Sequence, residues 1–275
     1  MMNTRREFLQ IGTLAALGAA AGCKTAPRGG LAVNGVRIGV QMYSIDDLWK
    51  DDPAAAFRRL RAMGYDGVQS VHFFFHKPEE LEKMLDDNGL EMADMPFRKS
   101  FVTPDKFNEF VEFCQRFKVD FVFQPNSKAK TAEDWRVFTD WLLELGEKFK
   151  PYGIRVGYHN HKYEFTDSFD GKRPIEMLNG LSIPMEFDVG HAKLANDDPI
   201  AWLGRMKGRV PSIHAKPAGG DVIGGKDDAN DWKAIFSAAA AAGTKWAVVE
   251  CETRRNTYAD VEASMGYLRQ LADKH

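Results

Sequence analysis

From Val36 onward the chain repeats one pattern: a short β-rich run, a few loop residues, then an amphipathic helix. The runs fall at Arg37–Tyr43, Gly67–Val71, Leu90–Met95, Phe121–Gln124, Ile154–His159, Ile183–Val189, Pro211–Lys216 and Ala247–Glu252. Helical patterns follow them, the longest predicted over Ala132–Phe149. The clearest is the third, where Phe107, Phe110, Val111, Cys114 and Phe117 recur on one face of a 3.6-residue helix behind Thr103-Pro104-Asp105 as its cap. Strands alternating with helices over short connections make a parallel α/β fold. Eight such units at this length favour a closed barrel over a doubly wound sheet. The Gly-x-Gly-x-x-Gly of a dinucleotide fold does not follow the first run. The expected architecture is a single (β/α)8 TIM barrel over residues 36–275.

What precedes Val36 lacks that rhythm. Arg5-Arg6 is followed by apolar residues, and Ile11 to Ala21 is an uncharged segment too short to span a bilayer. The pattern resembles a twin-arginine export signal. Ala20-Ala21-Gly22-Cys23 resembles a lipoprotein cleavage box with Cys23 as the acylated residue. Ala20 stands where such a box most often has leucine, so cleavage without a lipid stays open. Residues 1–22 are therefore read as a signal, 23–35 as a tether, and the mature protein is expected in the periplasm or cell envelope, with a lipid anchor at Cys23 as one outcome. Cys114 and Cys251 sit in apolar patterns and read as two buried thiols rather than a disulfide. A net charge of -2 argues against a nucleic-acid binder.

In a barrel of this kind the active site lies at the carboxyl ends of the strands. The fifth run ends in His159 and His161, the sixth in Glu186 and Asp188 ahead of His191, the seventh in His214 and Lys216, the eighth in Glu250 and Glu252. Side chains two apart on a strand share a face. One such pair is equally well two side chains satisfied by the backbone or by each other. Four in succession, aimed into a mouth otherwise built of Val, Ile and Phe, are costly to desolvate without a cation or ligand. Imidazoles and carboxylates together suit a metal or a proton-transfer site. His72 and His76 flank Phe73-Phe74-Phe75 on a rim segment after the second run. The doublets Gly219-Gly220 and Gly224-Gly225 read as flexible loop rather than as a phosphate cradle.

Tyr158-His159-Asn160-His161 with Glu164-Phe165, then Asp188-Val189-Gly190-His191, His214-Ala215-Lys216 and Val249-Glu250-Cys251-Glu252, resemble the xylose-isomerase-like barrel superfamily. The nearest branch is that of the sugar phosphate isomerases/epimerases, with inosose dehydratases, ketose 3-epimerases and hydroxypyruvate isomerases as relatives. The resemblance covers most of residues 36–270, and Gly39-Val40-Gln41-Met42-Tyr43-Ser44 fits its opening strand. It implies one divalent ion, Mn2+ or Zn2+, held at the positions of His159, Asp188, His214 and Glu250. Histidine at 159 stands where the family usually has glutamate. That shifts preference toward an imidazole-tolerant metal and argues against epimerisation by two symmetric carboxylates.

The chemistry implied is enolisation of a carbohydrate. Glu250 or Glu252 is the expected base, Lys216 neutralises the oxyanion, and His191 binds or protonates a substrate hydroxyl. His161 and Glu164 orient the metal set or touch substrate, and Gln41 and His72 are expected substrate contacts. An isomerase or epimerase acting through an enediolate on a keto- or aldo-sugar is the leading expectation. The alternatives are a lyase or dehydratase eliminating from a 3-keto-glycoside or inosose-like substrate, and a carbohydrate-binding envelope lipoprotein without activity. The expected partner is a small carbohydrate and not a nucleic acid.

Overall fold

The computed structural model describes residues 30–252 and 258–273. The expected export signal, Cys23 and His275 lie outside the described residues.

Eight staves form the barrel among the described residues: β1 (Val36–Gln41), β2 (Gly67–Gln69), β3, β4 (Phe121–Gln124), β5 (Arg155–His159), β6 (Met185–Asp188), β7 (Ser212–Ala215) and β8 (Trp246–Val249). The third is in two pieces, Glu91–Met92 paired to β2 and Met95–Pro96 paired to β4. Ala93 and Asp94 form the bend between them, so the sheet closes through one kinked stave. Pairing between staves is parallel throughout, with β8 against both β1 and β7.

The tether ends sooner than the sequence suggests. Ala32–Val33 pairs antiparallel with the start of β1. Asn34 and Gly35 make the turn with φ of 51° and 81°, the left-handed pair that a two-residue hairpin requires. Helices α1 (Pro53–Met63), α2 (Pro78–Asn88), α3 (Phe107–Arg116), α4 (Ala132–Phe149), α5 (Pro174–Gly180), α6 (Pro199–Arg205), α7 (Trp232–Ala242) and α8 (Tyr258–Ala272) surround the sheet. Asp52 caps α1 by accepting from the Ala55 N–H, and Thr131 and Asp134 close a reciprocal capping box on α4. α3 starts later than its expected cap. The Thr103 hydroxyl donates to the Ser100 carbonyl, and its own carbonyl accepts from the Phe107 N–H, so Thr103-Pro104-Asp105 forms a turn ahead of the helix.

Strand alternation separates two environments. Outward side chains such as Tyr158, Phe187 and Ile213 are buried between sheet and helices, Tyr158 edge-on to Trp135 and Phe138. Inward side chains plug the bottom of the barrel with Ala93, Trp246 and Val248. Gly67 makes room there: a Cβ would lie 2.8 Å from the Trp246 ring. Above this plug the inward positions turn polar, with Gln69, Asp94, Glu186, Ser212 and His214 all buried. No helix among the described residues is long and apolar enough to cross a membrane.

Candidate active site

The polar layer is densest where β5 to β8 end. His159 closes β5, Glu186 and Asp188 face inward from β6, His214 from β7, and Glu250 follows β8. Two triads have donor atoms within 4.8 Å of one another: His159, Glu186 and His214, and Asp188, His214 and Glu250. His214 belongs to both. Its Nδ1 is 3.3 Å from Glu250 Oε2 and 3.7 Å from Asp188 Oδ2, and its Nε2 is 3.8 Å from Glu186 Oε1. His159 Nδ1 lies 3.1 Å from Glu186 Oε2.

These atoms are close but not hydrogen-bonded to one another. Nδ1 of His159 and His214, Oε2 of Glu186 and Oδ2 of Asp188 are buried without a hydrogen-bond partner. Native interiors rarely leave that many polar atoms unsatisfied in one place. Converging nitrogens and carboxylate oxygens with unused lone pairs fit a divalent cation. Asp188 carries the arrangement further: its Oδ1 accepts from the His191 N–H at 2.7 Å and caps the short helix Val189–Leu194, leaving Oδ2 free to point inward. Gly190 is required at that turn, because a Cβ would sit 2.5 Å from the Lys216 carbonyl oxygen.

Charge is distributed unevenly. Burial opposes ionisation of Asp188, but His191 and His214 outweigh it and lower its pKa to about 2. Glu250 is likewise held well below the usual carboxylate range by His214 and Lys216, against its burial. Burial pulls His214 down, yet Glu186 and Glu250 raise it well above an ordinary histidine. Burial and the neighbouring His214 drop His159 to about 3, so it stays neutral. His214 thus stands as the cationic partner of Asp188 and Glu250 in this cluster. Burial raises Glu186 to about 7. Deeper still, burial and Glu186 push Asp94 to about 8.

Gln69 ties these acids together. Its amide donates to Asp94 Oδ1 and Glu186 Oε1, while its carbonyl accepts from Gln41 Nε2 and stands 3.3 Å from His214 Nε2. A neutral amide there avoids placing a third carboxylate against Asp94 and Glu186.

A cavity of about 420 Å³ opens over the cluster. Of the residues singled out from sequence, Gln41, His72, His159, His161, His214, Glu250 and Glu252 line it. Of the expected metal set, Asp188, His214 and Glu250 fall in one triad and His159 joins them through His214, with Asp188 beneath the surface at 0% exposure. Others sit differently from expectation. Lys216 is buried, its ammonium 2.6 Å from Glu252 Oε1 and 3.4 Å from Glu250 Oε2. Burial would lower its pKa, but Glu250 and Asp188 raise it, so its charge is paired with carboxylates here.

Glu164 lies beneath the cavity lining. It is fully buried, accepting from the Tyr158 hydroxyl on Oε1 and from the His161 N–H at 2.8 Å on Oε2. Burial raises it to about 7. It orients His161, whose ring stacks on Tyr163 at 5.5 Å and approaches His191 at 5.1 Å between centroids. His191 stands behind His161, outside the cavity lining. His76 is elsewhere, packed on Trp49. Asp94 and Gln69 are absent from the expected site set, and Glu186, expected at the end of its run, was given no role there. Glu186 had a signal, lying two residues before Asp188 on the same face.

A model of the xylose isomerase-like TIM barrel family matches residues 57–271. An inosose dehydratase of Clostridium beijerinckii is 29% identical over 214 residues, which cover 68% of this chain and 70% of the relative. The solved structure of a sugar phosphate isomerase/epimerase from Parabacteroides distasonis superposes with a TM-score of 0.73 at 22% identity, covering 86% of this chain and 100% of that one. That of 3-keto-D-glucoside 4-epimerase from E. coli gives 0.63 at 15% identity, over 86% and 99%. At these identities the two structures share the fold.

Proposed function

Because the chain belongs to the xylose isomerase-like TIM barrel family, we propose that it is a divalent-metal-dependent enzyme that enolises a carbohydrate, acting as an isomerase or epimerase. The observation that carries this reading is the buried set of unsatisfied donors in His159, Glu186, Asp188 and His214 beneath a sugar-sized cavity. His159, Asp188, His214 and Glu250 would hold Mn2+ or Zn2+, with Glu186 the closest further carboxylate. A bound ion would supply Lewis-acid polarisation of a carbonyl and its neighbouring hydroxyl, acidifying the adjacent C–H.

The rest falls to the side chains. Glu250 is drawn toward His214, which leaves Glu252 on the cavity wall as the carboxylate that accepts the proton. Lys216 holds Glu252 in place at 2.6 Å. His161, oriented by Glu164, meets a substrate hydroxyl, and Gln41 and His72 bound the opposite wall. Returning the proton at the neighbouring carbon completes isomerisation. Expelling a β-oxygen substituent instead gives elimination, and the resemblance to an inosose dehydratase favours that as the second reading.

The test is proton exchange. Metal-loaded protein in D2O is incubated with free ketoses, 3-keto-glycosides and inososes, and deuterium at the carbon beside the carbonyl is followed by NMR. Absence of exchange with every class, at near-stoichiometric metal, would sink the reading. The proposal also places the enzyme in the periplasm or cell envelope, on the leader over residues 1–22. Arg5→Lys with Arg6→Lys should retain it in the cytoplasm, and Cys23→Ser should abolish any lipid label.

A further inference from the structure

A second cavity of about 540 Å³ adjoins the first. The two share Val71, Pro125 and Asn126 as a common wall. It opens on the outer side of β4, between the sheet and α4, with Phe97 and Phe138 as its apolar surface. Gln124, the last residue of β4, lines it at 7% exposure, and its Oε1 has no hydrogen-bond partner. A buried amide oxygen without a partner is costly unless a ligand or water meets it.

Charge separates this cavity from its neighbour. Arg98, Lys99 and Lys128 line it, and no carboxylate among the described residues does. The first cavity has Asp46, Glu186, Glu250 and Glu252 in its wall. Arg98 sits 5.4 Å over the Phe75 ring, and Lys99 sits 4.6 Å over Trp141 and 5.8 Å over Phe138. Rings position these cations without neutralising them. In a chain of net charge -2, three cations around one cavity free of acids are a local reversal that favours an anion.

We propose that this cavity is a subsite for an oxyanion-bearing substituent of the substrate, a carboxylate, phosphate or sulfate. The substrate class is then a sugar derivative extended by an acidic group, its carbonyl end over His159 and Glu250 and its anionic end past Asn126 against Lys99 and Lys128. The sugar half rests on the function proposed above; the oxyanion half stands on the cavity alone.

The test uses metal-loaded full-length protein and calorimetry with phenyl phosphate, benzoate and phenol. Phenyl phosphate or benzoate should bind at least tenfold more tightly than phenol and weaken as salt rises. Lys99→Ala with Lys128→Ala should weaken the anion at least tenfold, with metal content and proton exchange of a neutral ketose unchanged. Gln124→Leu, which leaves the cations in place, should also weaken it. Whichever acid binds more tightly names the substituent and supports the subsite. Equal affinity for phenol, or anion affinity indifferent to the double variant, would overturn it. So would phenyl phosphate binding that survives the double variant but is lost on removing the metal, since the anion would then sit in the first cavity. Anion binding lost in the double variant, beside a wild type that exchanges no ketose proton, would keep the subsite and refute the enolising function.

Discussion

Replacing His214 with alanine removes the side chain common to both donor triads. His214 lies 3.3 Å from Glu250 and 3.7 Å from Asp188, all three largely buried. At an effective dielectric of about 20, a pair of unit charges about 3.5 Å apart is worth about 5 kcal/mol. Removing one partner of a buried pair costs about 3–5 kcal/mol, the orphaned carboxylates taking up protons before the full energy is lost. At about 2–4 °C per kcal/mol for a domain of this size, the metal-free variant should melt about 6–20 °C below metal-free wild type at pH 7. The sign follows from the pKa directions. His214 is raised, so its contribution is complete below the unfolded histidine value and is lost only as pH rises through its elevated folded value. Asp188 and Glu250 are depressed, so theirs is present above the unfolded carboxylate values and is lost as pH falls through the folded ones. The deficit should therefore be full at pH 7 and shrink in acid. Plasma mass spectrometry on protein purified without chelator should find near-stoichiometric metal in wild type and at least tenfold less in the variant. Should the alanine variant fail to fold, Asp188→Asn serves for the metal measurement. A variant that keeps its metal and its melting temperature would refute the assignment of this cluster as a metal centre.

Glu252→Gln should lower turnover by about 10²- to 10⁴-fold, with metal content equal to wild type; loss of metal would move Glu252 into the donor set. Glu164, at about 7 in the fold against an ordinary 4.5, binds protons more tightly folded than unfolded, so it makes stability fall as pH rises between those values. Glu164→Gln should abolish a slope amounting to about 3 kcal/mol across that window, read from urea unfolding of both metal-free proteins; parallel curves would contradict it. Gly190→Ala should cost about 1–3 kcal/mol through overpacking and loosen metal retention, because its Cβ meets the Lys216 carbonyl at 2.5 Å. Gly146→Ala, on α4 with nothing within 4 Å, should instead raise stability by about 0.5–1 kcal/mol, both read as shifts in melting temperature.

Much of the fold was readable because strands and helices announce themselves through local periodicity. α4 was expected over Ala132–Phe149 and runs over those residues, since a capping box and a continuous apolar face mark it. The third stave, expected as one run over Leu90–Met95, is two strands: its bend at Ala93 and Asp94 serves closure of the barrel, which no local pattern encodes. The start of α3 was misplaced because Thr103 spends its hydroxyl on Ser100 rather than on a helical N–H.

The site divides along the same line. Spacing by two on a parallel strand puts His159, Asp188, His214 and Glu250 on the inner face at the carboxyl ends, so their meeting followed from chain order once the barrel was expected. What the one-dimensional pattern could not supply was depth and partnership. Only packing decides that Glu164 turns away to hold Tyr158 and the His161 backbone, that Lys216 is consumed by Glu250 and Glu252, and that Gln69 joins Asp94 to Glu186 from across the barrel. The sequence alone determined which residue types reach the mouth, because strand alternation is a local property. The tertiary structure decided which of them face the cavity and which face one another, because burial and charge pairing depend on residues more than a hundred positions apart, as Gln69 and Glu186 are.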